Sequence, residues 1–89
     1  GEPTEDEMTE MQKDYSDKYQ KFDTELSKLR STFDRANLVA KQRTWKKVAE
    51  AATDYRTQMT KIREECEMYT GLAIPASDNE NWRPIVPKK

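Results

Sequence analysis

Arg35-Ala36-Asn37-Leu38-Val39-Ala40-Lys41-Gln42-Arg43-Thr44-Trp45 is the stretch on which the fold turns, because two apolar patterns fail to meet across it. Upstream, Tyr15, Tyr19, Phe22, Leu26, Leu29, Phe33 and Ala36 follow one another at spacings of 4, 3, 4, 3, 4 and 3, with Met8 one heptad earlier. Downstream, Trp45, Val48, Ala52, Tyr55, Met59, Ile62, Cys66 and Tyr69 follow at 3, 4, 3, 4, 3, 4 and 3. Each is the alternation of a helix that buries one stripe against a neighbour, and neither fits the two-residue period of a strand. Continuing the first seam would put apolar side chains at Ala40, Arg43 and Lys47, whereas the second seam sits at Trp45 and Val48, so the register breaks between Ala36 and Trp45.

Two arrangements account for the break. In the first, Asn37 closes one helix in a left-handed cap and Thr44 caps the next, giving two antiparallel helices of about 5–37 and 42–70. In the second, one helix about 100 Å long runs through a skip in the supercoil and a second copy supplies the packing. Leu38 to Arg43 contains no strong helix breaker, which speaks for the continuous form; the misaligned seams speak for the bend. The reading we adopt is all-α: an antiparallel, coiled-coil-like helical hairpin over residues 1–70, with residues 71–89 as an extended tail packed on it. A hairpin of two helices buries only one stripe per helix, so a third element is needed, whether the tail, a second copy or a partner.

The outer limits are well marked. Every Gly and Pro lies near an end of the chain. Thr4 followed by Glu5, Asp6 and Glu7 is a capping box with acids at the positive end of the helix dipole. Gly71 suits a left-handed C-terminal cap with Leu72 as its apolar contact, and Pro75 prevents continuation. Ser77-Asp78-Asn79-Glu80 has the form of a second capping box and predicts a short turn that contains Trp82 and stops at Pro84.

Composition narrows the function. The chain has 89 residues, no His, one Cys (Cys66), two Gly, and 37% charged against 34% apolar residues. That removes His-containing zinc sets, Ser-His-Asp and Cys-His pairs, an intrachain disulfide, and Gly-rich phosphate loops. The acids lie off the seams, so a carboxylate metal bundle does not fit, and no catalytic constellation, metal site or cofactor is expected. Uncharged apolar runs such as Leu38-Val39-Ala40 are far below the roughly 20 residues that span a bilayer. The expected setting is intracellular, reducing and cytoplasmic. Cys66 and the seam tyrosines Tyr15, Tyr19, Tyr55 and Tyr69 are expected in the core.

Charge is segregated beneath a net −1. Residues 1–20 carry seven acids and two bases, residues 41–63 two acids and seven bases, residues 64–80 five acids and no base, and residues 81–89 three bases. Bending the chain near residue 40 sets Glu10, Asp14 and Asp17 beside Glu64, Glu65 and Glu67. A tail folding back over that end would relieve the repulsion through Arg83, Lys88 and Lys89, while Trp82, Ile85 and Val86 cover seam residues. At the bend, Lys41, Arg43, Lys46 and Lys47 surround Trp45, a combination that suits an acidic protein surface or an anionic membrane. The pI near 5.5 argues against nucleic acid as the main partner. Pro84-Ile85-Val86-Pro87-Lys88-Lys89 also has the PxxPxK form of an SH3 ligand.

The expectation is therefore a non-enzymatic protein-interaction module, an adaptor or scaffold. Its candidate partner-binding residues are Lys41, Arg43, Trp45, Lys46, Lys47, Trp82, Pro84 and Pro87, and its partner is another protein or a second copy of the chain. An elongated coiled-coil dimer serving as a spacer, and peripheral membrane attachment through the basic Trp45 tip, are the alternatives.

Overall fold

The computed structural model describes residues 1–88. Helix α1 spans Glu5–Arg35 and helix α2 spans Leu38–Thr70; a single 3₁₀ turn, Asp78–Asn81, interrupts an otherwise extended tail. The two helices lie against each other in a particle with axes of 59 × 16 × 15 Å. The bend is real, and the continuous helix is not what this chain forms.

The bend is tighter than the sequence suggests. Ala36 and Asn37 alone leave the helical path, both in extended conformation, and the Ala36 N–H is held by the Phe33 carbonyl. Asn37 does not close α1 in a left-handed cap; it opens α2, its side-chain oxygen accepting from the Ala40 N–H at 2.9 Å. Thr44 does not cap anything: its hydroxyl donates to the Ala40 carbonyl one turn back, at 2.8 Å. Leu38 to Arg43, which lack a breaker, are accordingly the first turns of α2, and two non-helical residues suffice to shift the seam register. Replacing Asn37 by Ala is expected to cost about 1 kcal/mol, measurable as a lowered urea midpoint with an unchanged slope. The other ends follow the sequence. The Thr4 hydroxyl accepts from the Glu7 N–H, and Gly71 takes φ 71° at the end of α2, a conformation that would strain any side chain.

The core is built from both seams. Tyr19, Leu26, Ala52, Met59, Ile62 and Cys66 are buried together, with Tyr15, Phe22, Leu29 and Tyr55 packed partly against them. Tyr69 departs from its seam: it is 57% exposed, and Thr70 is buried in its place. A straight helix drifts by about 20° per heptad against a 3.5-residue repeat, so by the last turn the inward face has moved on by one residue. The Thr70 hydroxyl is then used at the chain reversal, where it accepts from the Leu72 N–H at 3.0 Å.

The tail is the third element that the hairpin needs. It runs back along the groove between α1 and α2 for almost the whole rod, from a Gln12–Ala73 hydrogen bond near the open end to a Gln42–Lys88 hydrogen bond near the bend. Ile74 is buried in the core cluster, and Trp82 packs against Phe33 edge to face at 6.5 Å. Two expectations for the tail fail. Ile85 and Val86 are not buried against the seams; α1 ends at Arg35, Trp82 and Pro84 already occupy the last of the groove, and Ile85 is left 84% exposed while Val86 only borders a cleft beside Trp45. Nor do Arg83 and Lys88 return to the acidic end, because the tail carries them away from it toward the bend. Lys89 lies outside the described residues.

Candidate interaction surface

The tail is positioned by polar contacts that a coiled-coil reading gives no reason to expect. Ser77 caps the 3₁₀ turn by accepting from the Asn79 N–H at 3.2 Å, as the box predicts. The second half of the box does not form. The Ser77 N–H donates instead to the Tyr19 hydroxyl at 2.8 Å, and Glu80 points into the groove. There Arg63 binds its carboxylate with two bonds of 2.8 Å, Thr60 donates at 3.1 Å, and the Tyr19 hydroxyl donates to it as well. On the α1 side, the Asn79 amide donates to Asp23 and Ser27 at 2.8 and 2.7 Å, and Ser77 donates to Asp23 at 2.6 Å. No buried side-chain polar atom among the described residues lacks a partner.

This network shifts the proton equilibria of its members. For Glu80, burial alone would raise the pKa, but the hydrogen bonds from Arg63, Tyr19 and Thr60 outweigh it and hold the carboxyl below its ordinary value. Burial, then the bond to Glu80, pushes the Tyr19 hydroxyl up to about 12. The Arg63 guanidinium is raised, chiefly by its bonds to Glu80.

The candidate binding residues divide into two groups. Trp45, Trp82, Pro84 and Pro87 come together where the tail reaches the start of α2. Trp45 donates its indole N–H to the Pro84 carbonyl at 3.0 Å, Pro84 is buried, and Trp45, Pro87, Val86 and Gln42 line a cleft of about 550 Å³. Pro84 of the PxxP pattern is thus committed to the chain's own groove. Lys41 joins this group from the inner side, its Nζ 5.8 Å from the centre of the Phe33 ring. Arg43 and Lys47 line no hollow with this group, and Lys46 borders a different one on the far side of Trp45. They belong to the exposed side of α2 and form no tip, since the bend lies at Ala36-Asn37.

What the sequence reading missed is the company these residues keep. Leu38, Val39, Ile85 and Val86 are 52 to 84% exposed and all belong to the bend end. Of the bases nearby, Arg30, Lys41, Arg83 and Lys88 line one hollow with Leu38, Ile85 and Val86, and Asp34 is the one acid in it. At the opposite end of the rod stand the acids of residues 1–17 and of 64–67. Exposure of Leu38 and Val39 follows from their place outside both seams, a signal that was present in the spacing.

No family model matches the chain, and no curated protein or solved structure matches it. Among the described residues no helix is long and apolar enough to cross a membrane.

Proposed function

We propose that the chain is a non-enzymatic, intracellular protein-interaction module that presents its bend end to an acidic partner. The observation that carries this reading is the coincidence of four exposed aliphatic side chains, Leu38, Val39, Ile85 and Val86, with a basic rim. Exposed apolar groups set singly need no explanation, but a group of them rimmed by polar residues is the form of a docking surface. The rim supplies the sign of the partner: cations steer an acidic surface into encounter, and the apolar centre holds it. Adaptor and scaffold roles both fit.

The seams themselves offer a partner little, since the tail occupies the groove that they would present. This also weakens the case for an elongated dimer acting as a spacer. An anionic membrane is the remaining competitor, because aliphatic side chains ringed by Lys and Arg suit a lipid headgroup layer too.

The test compares the native chain with a Leu38→Asp/Ile85→Asp variant, both shown to be folded by circular dichroism, in quantitative capture of proteins from cell extract and in sedimentation with vesicles containing phosphatidylserine. Acidic proteins retained by the native chain and depleted at least tenfold with the variant are the expected result. The same proteins captured by both would remove the bend end from the argument. Co-sedimentation with the vesicles and no selective protein capture would transfer it to membranes.

A further inference from the structure

We propose that Arg56 and Arg83, with Thr57 and Lys61, form a binding site for a dianionic phosphoryl group, free or as a monoester, on the flank of α2. The site shares Arg83 with the rim of the bend end but opens onto the flank of α2, and it rests on a different observation. Arg56 donates to the Trp82 carbonyl at 2.9 Å, and Arg83 donates to that same oxygen at 3.1 Å. Two guanidiniums thus converge on a single neutral acceptor. Each is held from a second direction as well, Arg56 by the Thr53 hydroxyl at 3.0 Å and Arg83 by the Glu80 carbonyl at 3.1 Å.

Neither guanidinium has a carboxylate partner. The ion pairs among the described residues are Lys28–Glu25 and Arg63–Glu80. Glu80 borders the same pocket, but both of its oxygens are taken by Arg63, with Thr60 and Tyr19 adding to them. The cost of the convergence appears in Arg56, whose pKa is lowered first by burial and then by the charge of Arg83. Two like charges held close together by backbone and hydroxyl contacts, with no anion between them, are the arrangement that an anionic ligand stabilises.

The shape of the pocket narrows the class of anion. It is an open hollow of about 470 Å³ in which Thr53, Arg56, Thr57, Thr60, Lys61 and Glu64, all from α2, form one wall, and Glu80 and Arg83, from the tail, form the other. The α2 residues recur at three- and four-residue intervals, so they share one helix face. That face offers the Thr57 hydroxyl and the Lys61 ammonium beside the Arg56 guanidinium, the Thr53 and Thr60 hydroxyls being spent on Ala49 and Glu80, and Arg83 faces them from the tail, a donor set suited to three terminal oxygens better than to the two of a carboxylate. The hollow also exceeds the size of a bare phosphate, which leaves room for the organic group of a monoester. Glu64 is the one acid in the wall not already neutralised, and it sets the far limit of the positive region.

The test is a titration of the ¹⁵N-labelled full chain, at ionic strength held constant with chloride, with inorganic phosphate in one arm and O-phosphoserine in the other. Saturable shifts of the Arg56, Thr57 and Arg83 amides and of the Arg56 and Arg83 Nε–H resonances are expected. Arg83→Ala should weaken binding at least tenfold and Lys61→Ala about threefold, while Lys13→Ala on the exposed side of α1 leaves it unchanged. Tighter binding of O-phosphoserine assigns the site to a monoester, and equal binding assigns it to orthophosphate. No saturable shift at millimolar ligand, or an Arg83→Ala variant that binds within twofold of the native chain, would overturn the proposal.

Discussion

A chain ending at Gly71 is expected to lose cooperative folding as a monomer, although both helices and the bend between them remain in it. The reason lies in what the tail covers. Cys66 and Leu26 are fully buried, and Tyr19 and Ile62 nearly so, in a cluster that also contains Ile74 of the tail. Removing the tail uncovers the open side of both seams at once. Ile74 and Trp82 alone represent roughly 2 to 3 kcal/mol each of apolar burial. Asn79 and Glu80 are lost with them, leaving Asp23, Ser27, Tyr19, Thr60 and Arg63 without the partners that satisfy them. Since an 89-residue domain has a net stability of about 5 to 13 kcal/mol, these losses together meet or exceed it. Circular dichroism should show a shallow, non-cooperative thermal transition for the shortened chain, and light scattering should show association as the uncovered seams find each other. A sharp monomeric transition would mean that the two helices are self-sufficient and that the tail is an accessory.

The seams, the antiparallel pairing and the two outer caps all come from local rules acting on side chains close in sequence: heptad spacing, Thr4 as a cap acceptor, Gly71 as a left-handed residue. The spacing sets the bend several residues too late because Asn37 can serve either a C-terminal or an N-terminal cap, and its choice depends on where α2 finds its packing. A 3.5-residue period extended to the last turn puts Tyr69 in the core, but α2 does not keep that period and leaves Tyr69 exposed. The path of the tail was legible only in outline. Trp82 announced an anchor by its size, but Ile74 is a single apolar residue in a segment without periodicity, and Glu80 appears in the sequence as the second half of a capping box. Only the groove, where Arg63 and Tyr19 wait 17 and 61 residues away, makes a tertiary contact out of it. The paired guanidiniums of Arg56 and Arg83 are invisible in the sequence for the same reason: each is one more base until the tail brings the two onto one carbonyl.

Glu80→Ala is expected to be the most damaging single substitution in the tail, at about 2 to 4 kcal/mol. The Glu80 side chain is 9% exposed and that of Arg63 28%, so loss of the carboxylate strands a half-buried cation together with the hydroxyls of Tyr19 and Thr60. Glu80→Gln should cost less, because an amide oxygen can still accept from Tyr19 or Thr60. The dependence on pH separates the charge from the packing. The folded pKa of Glu80 lies below its ordinary value of 4.5, so its stabilisation is present above that value and fades as pH falls through the depressed one. Tyr19 works at the opposite limit. Its folded pKa of about 12 exceeds the ordinary 10.0, so its contribution is intact below pH 10 and is lost as pH rises toward 12, when a phenolate would face the Glu80 carboxylate. Urea denaturation of the native chain across pH should therefore show stability falling at both extremes. Glu80→Gln should flatten the acid side and soften the alkaline one, since the repulsion of phenolate by carboxylate is gone. Tyr19→Phe should flatten the alkaline side while lowering stability at every pH, because the Ser77 N–H loses its acceptor. A Glu80→Gln variant with the acid profile of the native chain would show that the tail is held by its apolar anchors and that the ion pair contributes nothing.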